Sequence, residues 1–255
     1  MESISGAPAR AMLVQAGLLP PANPPSGALI LDNACGGGVV AWELHTAVGA
    51  NFEGKNHDMK LICGDLEETM VQKTRDRVAA EGWPNTEAMV VDAQAPPFPD
   101  NHFTHVVMNM GLQVIPDNPL VIRETYRILR PGGILGTTTG SEPSWLPTML
   151  ASIPGFTIPP VLNPSTGPAA SKPALEKLLR DAGFPAESIT VTELVTEHVD
   201  EVPRFTKALR KMFGAALSSE DGDTWERYMK ETYGEGEFRL TGKLLVTTAI
   251  KPMAP

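Results

Sequence analysis

Apolar and polar positions follow two periods along this chain. Short apolar runs at Ala28 to Leu31, Met59 to Cys63, Ala88 to Val91, Phe103 to Asn109 and Ile134 to Thr138 predict strands buried on both faces. Helix patterns lie between them: Val39 to Val48, the amphipathic Glu67 to Glu81 closed by Gly82, and a third helix capped by Asn118 with Pro119 at its first position. Leu129-Arg130-Pro131-Gly132-Gly133 stops that third helix. Polar Asn51 to Asp58 and proline-rich Ala95 to Asn101 read as loops. Strands alternating with helices at this rhythm predict an α/β fold around a doubly wound, mostly parallel sheet.

The two ends of the chain are less regular. Ala11 to Leu19 predicts a short helix, and Pro20, Pro21, Pro24 and Pro25 make the following connector stiff. After Thr138 the pattern gives a short helix within Glu142 to Ile153 and a proline-rich loop from Pro154 to Pro173. A helix from Lys172 to Ala182, capped by Ser171 and closed by Gly183, comes next. Ile189 to Val199 alternates as a strand, Asp200 to Gly236 is helical, and Lys243 to Ile250 is a last strand. The helices between the last two strands form an insertion, so residues 1–255 read as a single domain.

The chemistry concentrates where the first strand ends. Ala28 to Gly38 runs from apolar residues into Asp32 and then a glycine-rich turn, with Val39, Val40, Ala41, Trp42 and Leu44 at helical spacing behind it. Gly36, Gly38 and Ala41 meet the G-x-G-x-x-A spacing of dinucleotide-binding turns. A pyrophosphate wants bare N–H groups at a helix start and no anion beside them, so Asp32 opposes it. The same carboxylate suits a ligand with a cation at that end. S-adenosylmethionine, an adenosine joined to an amino acid, fits both the glycines and the acid; a simple cap on the turn is the alternative role of Asp32. Asp65, after the second strand, is placed for an adenosine ribose or for a helix cap, and Asp92, after the third, for adenine or for a turn.

Charge and composition narrow the partners. A net charge of −9 and a pI near 5.1 leave no basic excess to displace counterions, so a nucleic-acid partner is not expected. No apolar run approaches the roughly eighteen residues of a membrane span, and Met-Glu-Ser-Ile-Ser-Gly is not a signal segment, which points to the cytoplasm. Cys35 and Cys63 are expected as reduced thiols, and neither they nor the five histidines show metal-ligand spacing. The oligomeric state is left open.

Leu31-Asp32-Asn33-Ala34-Cys35-Gly36-Gly37-Gly38, Gly64-Asp65, Asp92-Ala93, Pro97-Phe98-Pro99-Asp100-Asn101-His102-Phe103 and Leu129-Arg130-Pro131-Gly132-Gly133 together resemble the ordered motifs of class I S-adenosylmethionine-dependent methyltransferases. The branch most similar is the ubiquinone/menaquinone-biosynthesis-like one, methyltransferase type 11, and fungal natural-product methyltransferases of secondary metabolism share its look. The resemblance covers residues 28–138 and implies a Rossmann-like, seven-stranded sheet with an antiparallel last strand. It also implies roles: Asp32, Ala34, Gly36 and Gly38 at the methionine end, Asp65 and Leu66 at the ribose, Asp92 and Ala93 at the adenine, Asn109 and Gln113 beside the sulfonium. Three departures stand out. Ala34 replaces the first glycine, His105 replaces an aspartate on the fourth strand, and only 27 residues precede the first strand to cover the cofactor.

Covering segments are therefore sought at 140–171 and 200–241. They bring Trp145, Phe205, Trp225 and Tyr228 to an apolar acceptor pocket, unless these side chains only pack a core. A methyl acceptor that stays protonated at neutral pH needs a base. His198, ending the sixth strand on the ligand edge, is preferred over His102 and His105. The expected activity is methyl transfer to an oxygen, nitrogen or sulfur of a small, fairly apolar metabolite. A cofactor-binding protein that cyclises, eliminates or regulates without methylating is the alternative, and an NAD(P)-dependent oxidoreductase a further one.

Overall fold

The computed structural model describes residues 2–51, 58–157, 169, 171–214 and 217–253. Its parallel strands are β1 (Leu29–Asn33), β2 (Lys60–Asp65), β3 (Thr86–Val90), β4 (Phe103–Asn109) and β5 (Leu129–Glu142). β6 (Ile189–Glu201) and β7 (Glu237–Ile250) complete a seven-stranded sheet in the order β3-β2-β1-β4-β5-β7-β6. β7 runs antiparallel between β5 and β6, as the resemblance implied. β1 pairs in parallel with β2 on one side and β4 on the other, so the chain reverses its winding there and opens a crevice at the strands' carboxyl ends.

Helices cover both faces. α2 (Val39–Asn51) and α3 (Glu68–Glu81) follow β1 and β2, and α4 (Asn118–Ile128) precedes β5. α4 is capped one residue earlier than its sequence suggests: Asp117 accepts from the Leu120 N–H at 2.9 Å. Asn118 is instead buried and donates to the carbonyls of Leu112 and Ile115. The Leu129-to-Gly133 segment is not only a stop. Leu129 already pairs with Phe103, and the register shifts before His105 meets Ile134, so the segment enters the sheet as a bulge.

The largest difference from the sequence pattern is at the N-terminus. α1 spans Glu2–Gln15, beginning well before Ala11, although Gly6 and Pro8 are poor helix formers. Packing supplies what propensity lacks. Ala9, Met12, Leu13 and Ala16 are buried with Val40, Ala41 and Leu44 of α2, and a Cβ on Gly6 would lie 3.1 Å from Glu43 Oε1. β6 and β7 also extend past the expected ends, pairing from Ile189–Ala249 out to Glu201–Glu237. The helical insertion shrinks accordingly to α7 (Val202–Phe213) and α8 (Ser219–Tyr233). Ahead of it, α5 (Leu146–Ser152) and α6 (Lys172–Asp181, capped by Ser171) match expectation, while residues 158–168 and 170 of the proline-rich loop, like 52–57, lie outside the described residues. No helix of the described residues is long and apolar enough to cross a membrane.

The insertion has its own small core, in which Met149, Phe205, Phe213, Trp225, Met229 and Phe238 pack together. Trp225 is fully buried and donates Nε1–H to Thr148 Oγ1 at 2.9 Å, tying α8 to α5. Replacing Trp225 with Ala should lower the unfolding free energy by about 3–5 kcal/mol, the range for emptying a large aromatic site. Urea titration checks this; a loss under about 1 kcal/mol would mean that the insertion core collapses around the gap.

Candidate active site

The glycine turn is held from three sides. After β1 the backbone takes positive φ at Ala34 (62°), Gly36 (54°) and Gly38 (77°). Only glycine adopts that region freely, so Ala34 is mildly strained where the resembled family has glycine. The Gly36 N–H donates to Asp65 Oδ2 at 2.8 Å, and Asp65 Oδ1 accepts from the Glu67 N–H at 3.0 Å. Asp65 therefore pins the turn and shapes the chain entering α3, while the N-cap residue of that helix, Glu67, has no side-chain cap bond. From α3, the Thr74 hydroxyl donates to the Gly36 carbonyl and Arg77 to that of Gly37. A Cβ at Gly38 would sit 3.3 Å from Thr74, so the turn rests directly on that helix. Cys35 and Cys63 are buried free thiols; a hydrogen bond from one to the other, then burial, pushes the Cys63 thiol up.

Above this turn lies a cavity of about 850 Å³, with Asp32, Ala34, Gly36, Asn109, Asp200 and Arg204 in its wall. Asp32 dominates its electrostatics. The side chain is fully buried, neither carboxylate oxygen has a hydrogen-bond partner among the described residues, and burial, helped by the charge of Asp65, raises its pKa to about 8. A carboxyl group so placed fits a cationic ligand that would restore its ionised form. Asn109 donates to the Ser5 carbonyl at 3.1 Å and accepts from Thr138 Oγ1 at 2.7 Å. That bond brings α1 to the cavity, so the cover sought in later segments is supplied partly by the N-terminal helix.

The other residues implicated from sequence separate into groups. Asp65, Leu66, Asp92 and Ala93 stand beyond this cavity at the carboxyl ends of β2 and β3. Leu66 is 61% exposed, and Asp92 accepts the Gln94 N–H at 2.8 Å, forming the turn that was one of its two readings. Gln113 accepts the Gly140 N–H at 2.9 Å and belongs to a second cavity, of about 130 Å³, walled also by Met110, Trp145, His198, Phe205 and Leu244. Trp225 and Tyr228 are not in that wall: Trp225 is enclosed in the insertion core and Tyr228 packs against it.

His198 is buried against Phe205, with ring centroids 4.9 Å apart. Its Nε2 stands 3.5 Å from Asp200 Oδ2, an ionic approach too long to be a good hydrogen bond. Burial lowers its pKa and Asp200 partly offsets that, which keeps the ring neutral near pH 7. His105 is likewise buried, bonded to Thr104 Oγ1, with its pKa lowered to about 4 by burial and then by Arg130. Asp200 itself accepts from the Glu201 N–H and from Arg204 Nε. It lines the first cavity while its neighbour His198 lines the second, so one strand end serves both. The sequence reading missed Asp200, Arg204 and Ser5. The available signal was the i, i+2 spacing of His198 and Asp200, which puts both on one face if the strand continues.

Comparisons with known proteins bear on the family and the fold. The family model described as the ubiE/COQ5 methyltransferase family matches residues 19–152. Methyltransferase tpcH of Aspergillus fumigatus is 32% identical over 244 residues, covering 88% of this chain and 85% of the relative. A protein of Bacillus halodurans C-125 assigned as a methyltransferase superposes with a TM-score of 0.64 at 19% identity, over 96% of this chain and 99% of the other. Phosphoethanolamine N-methyltransferase 2 of Haemonchus contortus, solved with phosphomonomethylethanolamine and S-adenosylhomocysteine, gives 0.57 at 20% identity over 96% of this chain and 52% of its own.

The state of Asp32 has a measurable consequence. Folded, it keeps its proton to about pH 8; unfolded, it loses it near 3.8. The native state therefore binds more protons across that window, and its stability falls as pH rises from about 4 to about 8. Asp32→Asn should raise the urea midpoint at pH 8 and leave it nearly unchanged at pH 4. A gain of equal size at both pH values would show that the Asp32 carboxyl ionises as freely in the fold as out of it.

Proposed function

We propose that this chain, which belongs to the ubiE/COQ5 methyltransferase family, moves a methyl group to an oxygen, nitrogen or sulfur of a small, fairly apolar metabolite. It is an S-adenosylmethionine-dependent methyltransferase, and when bound the cofactor supplies an activated methyl on a sulfonium. The observation that carries the reading is the unpartnered, buried Asp32 carboxyl beside a glycine turn. It suits the ammonium of the cofactor's amino-acid end and opposes a nicotinamide dinucleotide, whose pyrophosphate would meet that carboxyl.

The residues divide the work. Gly36 and Gly38 let the backbone approach the ligand, and the first turn of α2 offers its free N–H groups. Asp65 spends one acceptor site on each oxygen in holding the turn; a carboxylate has about four, so the rest are open to the ribose hydroxyls. Leu66 gives an exposed apolar face for adenine, with Asp92 and Ala93 at its edge. Asn109 and Gln113, one on each cavity, would flank the sulfonium. The second cavity takes the reacting part of the acceptor between apolar Met110, Trp145, Phe205, Leu209 and Leu244 and polar Gln113, Glu142, Thr196, Glu197, His198 and Lys243. Enclosure there aligns acceptor and methyl and excludes water. His198, neutral and buried, takes the acceptor's proton where the acceptor is a hydroxyl or thiol. The fungal relative supports a place in secondary metabolism, and the absence of a membrane-spanning helix among the described residues is compatible with a cytoplasmic site.

The purified chain, incubated with S-adenosylmethionine and a panel of aromatic hydroxyl, thiol and amine compounds, should form S-adenosylhomocysteine detectable by mass spectrometry. Cofactor binding without product under any acceptor would favour the non-methylating reading. His198→Gln should lower kcat for hydroxyl acceptors by about 10²–10⁴-fold while S-adenosylhomocysteine affinity stays unchanged. An unaltered kcat removes His198 from the proton transfer.

A further inference from the structure

The amino-acid end of the cofactor is a zwitterion, and Asp32 accounts for only half of it. The carboxylate still needs donors. Three cationic side chains line the first cavity: Lys73, Arg77 and Arg204. Arg77 is committed, with one amino group on the Gly37 carbonyl and its guanidinium 4.6 Å from the Trp42 ring and 5.6 Å from that of Trp83. Lys73 stands on α3, the flank where Asp65 fixes the turn and where the ribose belongs. The amino-acid end must extend the other way, past Asp32 and Asn109, toward α7.

Arg204 waits there. Its Nε donates to Asp200, which is buried and also held by the Glu201 N–H, so the guanidinium is anchored along one edge. Its two terminal amino groups have no hydrogen-bond partner among the described residues. A guanidinium fixed at Nε presents the remaining pair as a fork that matches a carboxylate. Arg204 also lies in the first turn of α7, whose positive end favours an anion.

We propose that Arg204, aimed by Asp200, binds the carboxylate of the cofactor, completing with Asp32 a pair of opposite charges that selects an intact amino acid at that end. This rests on the cofactor reading of the cavity. Because the Arg204 side chain is 68% exposed, solvent screens the contact and the effect is moderate.

Calorimetric titration with S-adenosylhomocysteine and with its decarboxylated analogue, which keeps the ammonium, tests it without turnover. Arg204→Gln should weaken S-adenosylhomocysteine about tenfold and leave the decarboxylated analogue unchanged or tighter. Arg204→Lys should recover part of the loss. Asp200→Asn combined with Arg204→Gln, which removes the carboxylate left behind, should keep the selective loss. Equal weakening of both ligands, or a selective loss in Lys73→Gln and none in Arg204→Gln, overturns the assignment of Arg204 alone. Failure of the unaltered chain to bind either ligand overturns the cofactor reading and this proposal with it.

Discussion

A carboxyl group without a partner, buried at the end of the central strand, is the constraint around which this molecule is arranged. Asp32 sits where β1 is paired on both sides, opposite Cys63 of β2 and Val107 of β4. Its side chain is fully buried. The fold therefore keeps a group that favours the protonated state, a cost that a cationic ligand would relieve. A neutral side chain at position 32 would fold with less opposition and recognise less.

The turn beside Asp32 shows the same economy of parts. Sequence alone leaves Asp65 as either a helix cap or a ribose ligand, and these compete only if one carboxylate can do one thing. In the structure each oxygen accepts a single backbone N–H, from Gly36 and from Glu67, which locks the glycine turn onto the second strand before any ligand enters. The strain of Ala34 at positive φ is held by that lock and by the bond of Cys35 to the Gly64 carbonyl. Preorganisation of this kind reduces the ordering that binding must supply.

What could be read from the chain was local in its physics. Buried strands β1, β2 and β4 announce themselves as apolar runs, and the glycines, Asp32 and Asp65 carry their positions in spacing. The failures were tertiary. α1 starts at Glu2 because Gly6 and Ala9 let it lie close on α2, a reason no helical period records. Asp200 and Glu201 read as helix and Glu237 to Thr241 as part of a covering segment, but all are strand, since their mutual pairing outweighs weak local preference. The same error hid Asp200 from the site; separately, Trp225 belongs to the insertion's own core and Tyr228 packs against it.

That unexpectedly long β6 ties the two cavities together. His198 and Asp200 are two residues apart, so both project from one face of the strand, one to each cavity. A slip of one residue would turn both away together. The register is set against this by unbroken pairing with β7 from Ile189 to Glu201 and by Gln15 of α1, which donates to the Thr190 carbonyl and to Thr248 Oγ1. α1 thus does two things at once: Ser5 accepts from Asn109 in the wall of the larger cavity, and Gln15 holds the strand whose far end carries His198. Displacing this helix would remove one support from each cavity at once, leaving Asn109 to Thr138 and β6 to its pairing with β7.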